Sequence, residues 1–277
     1  MKYMKTLITF VVSGFVLAFA SSAVAQTVKA CVVTVVRIQG QARYSLGDNI
    51  WHPLVVGKIL RSGAIIQSAV DSTVDIVLSG DPVMMPQAAS TPDTIDLAPD
   101  PGVRGLISDK PMVQQNVIRM FSNTVLAVDK LTQADTGVDT VSDTELDLRA
   151  GRIFMNVKKM SSASQFIIKI PNGVAGIRGS SGCLGADGTV QWFTGQILIS
   201  LIDPKTGLPV TETINGGFWF NPQTGQVLSI DVSSQDWSNL AHWNIQVPTL
   251  YVQSITPATS SGVPNIAQVY CSPTTGK

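Results

Sequence analysis

Histidine is nearly absent: only His52 and His242 occur in 277 residues, and neither stands at a spacing that binds a metal or pairs a base with a nucleophile. Phosphate-cradling glycine loops, paired zinc cysteines and His-Glu-x-x-His are missing too. The nearest approach to a nucleophile elbow is Gly179-Ser180-Ser181-Gly182-Cys183, where Cys183 stands in place of the closing glycine and no strand-to-helix pattern follows. The inventory therefore points away from an enzyme and predicts no cofactor and no metal site.

Charge is also scarce, at 14% of residues against 44% hydrophobic, which argues against disorder over most of the length. Residues 1–25 read as a signal peptide: Lys2 and Lys5 form a basic end, Leu7 to Ala20 an apolar stretch, and Ala23-Val24-Ala25 a small-residue cleavage site before Gln26. That apolar stretch, interrupted by Ser13 and Gly14, is shorter than the roughly 20 residues that span a bilayer. No later segment is apolar enough to be a transmembrane helix, and Cys31, preceded by Val28-Lys29-Ala30, does not resemble a lipoprotein anchor. The expected location is periplasmic or secreted. Cleavage removes two lysines and no acid, moving the formal charge from zero to −2, a balance without the clustered basic surface that nucleic acid needs. Three cysteines, Cys31, Cys183 and Cys271, leave at least one thiol unpaired within a monomer; a Cys31–Cys271 disulfide would staple the two ends of the mature chain.

From Val32 the apolar pattern has period two in short runs: Val32 to Ile38, Thr73 to Ser79, Asn116 to Phe121, Thr124 to Val128, Arg152 to Val157, Gln165 to Ile170, Thr189 to Phe193 and Gln196 to Ile202. Turn chemistry separates them, as at Asn172-Gly173, Asp187-Gly188, Thr194-Gly195 and Asn215-Gly216. The pattern predicts an all-β domain. Trp51, Leu54, Gly57, Leu60, Gly63 and Ile66 recur at steps of three, but Pro53 and the two glycines oppose a helix, so successive tight corners are expected, with the large side chains plugging the core.

Gly80 to Pro111 is rich in Pro, Asp, Ser and Thr and reads as a long excursion. Thr132 to Asp147, with Asp135, Asp139, Asp143, Glu145 and Asp147, reads as a solvated loop; acids so grouped can ligate calcium, but the twelve-residue calcium loop is missing. Ser233 to Trp243 predicts one short helix capped by Ser233 or Ser234, with Trp237, Leu240 and Ala241 on one face. Beyond it the chain to Lys277 reads as a polar tail with β-prone pieces such as Thr249 to Ile255.

One segment stands out. In Phe166 to Gly182 an alternating strand is cut by Pro171, turned at Asn172-Gly173 and resumed as Val-Ala-Gly-Ile-Arg-Gly, with a single arginine among glycines. Before it come a strand ending in Gly40, a Trp-x-x-Leu-x-x-Gly run at Trp51 to Gly57, a Gly63 to Ser68 step, the strand Thr73 to Leu78 and a Leu148 to Lys159 segment; after it Gly195 pivots a strand-glycine-strand close. In that order the pieces resemble the FecR family of exported domains, from about Val32 to Ile230. Ser180 stands where the family usually has threonine, and the 80–111 excursion is longer than the family pattern. The resemblance implies a β-solenoid-like or irregular stacked-β domain over 26–230, followed by the helix and tail at 231–277. It implies the sensing or interaction half of such a protein, with an envelope receptor or membrane regulator as partner, and not the cytoplasmic part that acts on a sigma factor.

Arg178, Gly179 and Ser180 are the candidate partner-binding residues. The guanidinium, with five donors, can instead fix neighbouring turns through their carbonyls, and a buried structural arginine is the commoner case in a β fold. A second reading uses Trp51, Trp192, Trp219, Trp237 and Trp243 as rings that stack on cell-wall glycan, against the rule that tryptophans in a β domain mostly fill the core.

Overall fold

The computed structural model describes residues 27–83, 115–203 and 206–252. In chain order the strands are β1 (Val28–Ala30), β2 (Val32–Gln39), β3 (Ala42–Ser45), β4 (His52–Pro53), β5 (Ile59–Leu60), β6 (Ile65–Ser68), β7 (Thr73–Ser79), β8 (Asn116–Met120), β9 (Val125–Asp135) and β10 (Thr140–Ala150). They continue as β11 (Arg152–Asn156), β12 (Gln165–Ile170), β13 (Gly173–Ile177), β14 (Ser181–Gly185), β15 (Val190–Thr194), β16 (Gln196–Ile202), β17 (Pro209–Asn215), β18 (Phe218–Asn221) and β19 (Gln226–Ser229), with one helix among the described residues, α1 (Gln235–Val252). The chain is all-β with a C-terminal helix, as expected.

Two sheets face each other. The ten-stranded sheet runs β17-β16-β13-β12-β10-β9-β6-β3-β4, with β1 added on β9, and the nine-stranded sheet runs β19-β18-β15-β14-β11-β8-β7-β2-β5. Apolar side chains at alternate positions of both close a single core between them. Ile76, Ile118, Ile153 and Trp192 come from the nine-stranded sheet and Leu126, Leu146, Ile168 and Ile199 from the other, each at most 1% exposed. Leu54, Leu60 and Ile66 enter this core at the corners expected from the three-residue spacing, with Gly57 and Gly63 at positive φ. Trp51 stays at the surface under the Arg43 guanidinium, 4.4 Å from the ring centroid.

The chain reaches each new position by crossing from one sheet to the other. From β2 as far as β10, and apart from the short wrap around β5, the crossings lie on one flank: Gly40–Gln41, Ala69–Ser72, Phe121–Thr124 and Gly151. β10, β11 and β12 then complete one helical turn, which makes β10–β12 a parallel pair in an otherwise antiparallel fold. From there the crossings move to the opposite flank, at 157–164, 178–180, Gly195 and Gly216–Gly217.

Three expectations are corrected. Thr132 to Asp147 is not a loop: it forms the ends of β9 and β10, joined by a tight turn at Gly137. Asp143, Glu145 and Asp147 alternate outward along β10 while Thr144, Leu146 and Leu148 point inward and are buried. The acids are engaged by bases: Lys130 pairs with Asp143, Arg149 with Asp147 at 2.7 Å, and Lys169 bridges Asp129 at 3.0 Å and Glu145 at 3.2 Å. These carboxylates raise the pKa of the Lys130 and Lys169 amines through hydrogen bonds. Second, the helix does not stop near Trp243 but continues to Val252, so Thr249 to Val252 is helical rather than β-prone. Third, the strand-glycine-strand close pivoted at Gly195 is present as β15 and β16 but is extended by β17 to β19, which were not expected as separate strands. Most of the excursion at 80–111 and all residues from 253 lie outside the described residues.

α1 packs on the outer face of the nine-stranded sheet. Ser234 Oγ accepts the Trp237 amide at 3.2 Å and caps the helix. Leu240 is fully buried against an outward-facing cluster containing Val77, Val117, Phe154 and Cys183; Trp237 lies 4.8 Å from Phe193 and Trp243 4.8 Å from Phe121. Burial pushes the Cys183 thiol up to about 12. On the same face Arg119 holds Asp75 in a two-point ion pair across β7 and β8, at 2.7 and 2.8 Å, with the carboxylate side chain 1% exposed.

Two outcomes follow. Asp75→Ala removes a two-point ion pair from a buried guanidinium and is expected to destabilise the fold by about 3 kcal/mol, read from denaturant unfolding. Iodoacetamide at pH 8, followed by peptide mapping, is expected to leave Cys183 unmodified in the folded protein and to modify it in denaturant, because burial both shields the thiol and suppresses its thiolate.

Candidate interaction surface

The Arg178-Gly179-Ser180 motif is the crossing from β13 to β14, and its three residues divide the work. Gly179 has φ +71°, and a Cβ there would come within 2.6 Å of Lys159 Cα in the neighbouring crossing. Ser180 is buried and donates from Oγ to the Gln196 carbonyl at 2.9 Å, while its own carbonyl accepts the Val157 amide at 3.0 Å. Both residues serve the corner. Arg178 is exposed rather than buried, and donates from one terminal nitrogen to the Ser162 carbonyl at 2.7 Å. The structure thus presents the charge and uses the other two residues to hold it.

The opposite flank of the C-terminal half has no crossings to close it. The hairpin turns of the two sheets face each other there across a cleft of about 210 Å³, with a floor of Ile199, Leu201 and Phe220 and a rim carrying Asp187, Asp203 and Glu212. Asp187 is occupied by Thr189, whose amide and hydroxyl donate to it at 2.9 and 3.0 Å, and Asp203 accepts from the Thr206 hydroxyl at 2.9 Å. Glu212 lies on β17 in the same facing as Val210 and the buried Ile214, so it points toward the cleft; among the described residues it has no hydrogen-bond or ion-pair partner.

Among the described residues, β17 ends its sheet with one side unpaired. The Asp203 amide donates to the Leu208 carbonyl at 2.9 Å, and in the Ile202–Pro209 register this makes Val210–Leu201, Glu212–Ile199 and Ile214–Ile197 the hydrogen-bonded pairs. The backbone N–H and C=O groups of Thr211 and Thr213 therefore face away from β16. Pro209 removes one donor at the start of the strand. Next to this edge, on the outer face, Leu198, Ile202 and Val174 are 50%, 49% and 39% exposed.

β17 was not legible as a strand of its own, although Val210, Glu212 and Ile214 alternate with Thr211 and Thr213 between Gly207 and Gly216. The charge at its centre masked the alternation. The two histidines stand apart, His52 stacked on Tyr44 at 5.3 Å and His242 exposed on the helix. Of the tryptophans, Trp192 is in the core and Trp219, Trp237 and Trp243 pack in the helix interface, leaving Trp51 as the one outside these clusters. They form no shared platform for a sugar. Cys31 is buried, with its thiol 4.0 Å from both the Lys29 carbonyl and Gln133 Oε1, and Cys271 lies outside the described residues.

Two substitutions separate the roles within the motif. Gly179→Ala is expected to cost about 2–3 kcal/mol in denaturant unfolding, from the positive φ and the clash with Lys159. Arg178→Ala removes one exposed hydrogen bond and is expected to cost less than about 1 kcal/mol; an equal loss for both would make Arg178 a structural residue.

No curated protein matches the chain. Two solved structures of a candidate anti-sigma factor from Parabacteroides distasonis are similar, at 15% and 17% identity and TM-scores of 0.31 and 0.29, covering 46% and 42% of this chain. The chain spans about half the length of each, 55% and 51%. The family model described as FecR protein matches residues 112–197, from just before β8 into β16 and including the helical turn at β10–β12 and the Arg178 corner. The match to that family covers residues 112–197, a narrower stretch than the motifs suggested.

Proposed function

We propose that this chain is a non-enzymatic interaction or sensing module of the cell envelope, exported by its N-terminal leader, which receives a protein partner by strand addition at β17. The observation that carries the reading is the asymmetry of the sheet ends. At the N-terminal end the last strands, β4 and β5, have two residues each, too short to template another chain, whereas β17 offers seven. A long edge with outward backbone groups at Thr211 and Thr213, beside exposed Leu198 and Ile202, is the geometry that β-augmentation uses. The FecR match supports a regulatory rather than a catalytic role, and an envelope receptor or membrane regulator as the class of partner. Arg178, held on the opposite flank by Gly179 and Ser180, is a second charge available to that partner.

The test is crosslinked co-purification of tagged protein from its native envelope, comparing wild type with Thr213→Pro, which deletes an outward N–H without touching the β16 hydrogen bonds. Recovery of an envelope protein from wild type and its loss from Thr213→Pro, at unchanged melting temperature, is the expected result. Equal recovery from both would reject the edge as the binding element, and recovery of cell-wall glycan without protein would reject the function.

A further inference from the structure

The groups around β17 also constrain what pairs with it. A strand added to this edge places alternate side chains on two faces, opposite Val210, Glu212 and Ile214 on the cleft side and opposite Thr211 and Thr213 on the outer side. On the cleft side the two apolar residues flank a half-buried carboxylate that has no partner among the described residues and sits beside an apolar floor. The surroundings do not supply a base in quantity: between Gly179 and Val252 the sequence holds five acids, Asp187, Asp203, Glu212, Asp231 and Asp236, and one base, Lys205. A carboxylate on the partner opposite Glu212 would be repelled, while an ammonium or guanidinium there gains a partly desolvated ion pair.

We infer that the occupant of the β17 edge is an extended protein segment with the pattern apolar-x-basic-x-apolar, its lysine or arginine seated opposite Glu212 and its apolar side chains opposite Val210 and Ile214. The inference rests on strand addition at β17 and names the chemistry of the partner. The backbone contacts supply pairing that any sequence can make; the cleft supplies the choice between sequences. The apolar floor of Ile199, Leu201 and Phe220 accommodates the methylene stem of a long basic side chain while its charge stays at the rim.

The experiment uses the full chain and two fluorescein-labelled peptides with Gly-Ser flanks, one centred on Val-Thr-Lys-Thr-Val and the other with Glu in place of Lys, read by fluorescence anisotropy. The Lys peptide is expected to bind more tightly by about fivefold, the upper end of a cross-strand charge pair. Glu212→Gln should erase the preference and Glu212→Lys reverse it, while Thr213→Pro should abolish binding of both peptides. Because Thr213→Pro can perturb folding, slowed hydrogen exchange of the Thr211 and Thr213 amides of the wild type on adding the Lys peptide gives a second readout of the edge. Equal binding of the two peptides, with those amides protected, overturns the basic occupant and leaves strand addition standing. Binding without protection of those amides, or no binding of either peptide, overturns both.

Discussion

The close approach of backbone at the stacked corners is the constraint on which the rest depends. Neighbouring strands lie about 4.8 Å apart, so where each chain crosses between sheets its backbone must pass directly over the previous crossing. There is no room for a side chain in that gap. A Cβ at Gly195 would meet Ser180 Cβ at 2.5 Å and one at Gly216 would meet the Phe193 carbonyl at 2.7 Å, the same crowding that Gly179 relieves against Lys159. The corners are also tied by hydrogen bonds, Gly216 N–H to the Gly195 carbonyl and Gly217 N–H to the Trp192 carbonyl, both at 2.8 Å. Gly179, Gly195 and Gly216 are therefore points at which one layer of the stack registers on the next.

That stacking also determines what stays open. The single helical turn at β10–β12 transfers the crossings from one flank to the other, so the C-terminal half is sealed on the flank of Arg178 and unsealed on the flank of Asp187 and Asp203. The cleft is a consequence of connectivity, not of missing side chains. Among the described residues the same progression leaves β17 with no successor in its sheet, because the chain crosses at Gly216–Gly217 and places β18 and β19 in the other.

Strands whose inward and outward faces contrast in hydrophobicity were legible from sequence: Thr73–Ser79, Gln165–Ile170 and Gln196–Ile202 have the bounds that alternation predicts. β10 was hidden because its outward acids resemble a solvated loop and its inward row begins at Thr144, a residue whose burial depends on the neighbours that β9 and β12 provide. β17 was hidden by Glu212, a charge in an inward row. Strand order could not be read at all, since whether Gly195 turns a hairpin or crosses between sheets is decided by pairing with residues far along the chain. Within the Arg178 motif the residue types were informative but their roles were partly exchanged: the serine and glycine are the packed members, and the arginine is at the surface.

The two outer faces of the sandwich are treated differently, and the difference bears on where a partner can dock. The nine-stranded sheet turns an apolar strip outward at Val77, Val117, Phe154 and Cys183, and the chain covers it itself with Leu240 and the tryptophans of α1. Across its middle the ten-stranded sheet is laced by Lys130, Lys169, Asp143 and Glu145 in partly exposed ion pairs that stabilise little. Past β12 the lacing stops, and Val174, Leu198 and Ile202 are left exposed beside β17. Neither an uncovered apolar strip nor an unpaired seven-residue edge helps an isolated chain stay folded or soluble. The strand addition proposed at β17 would cover both at once.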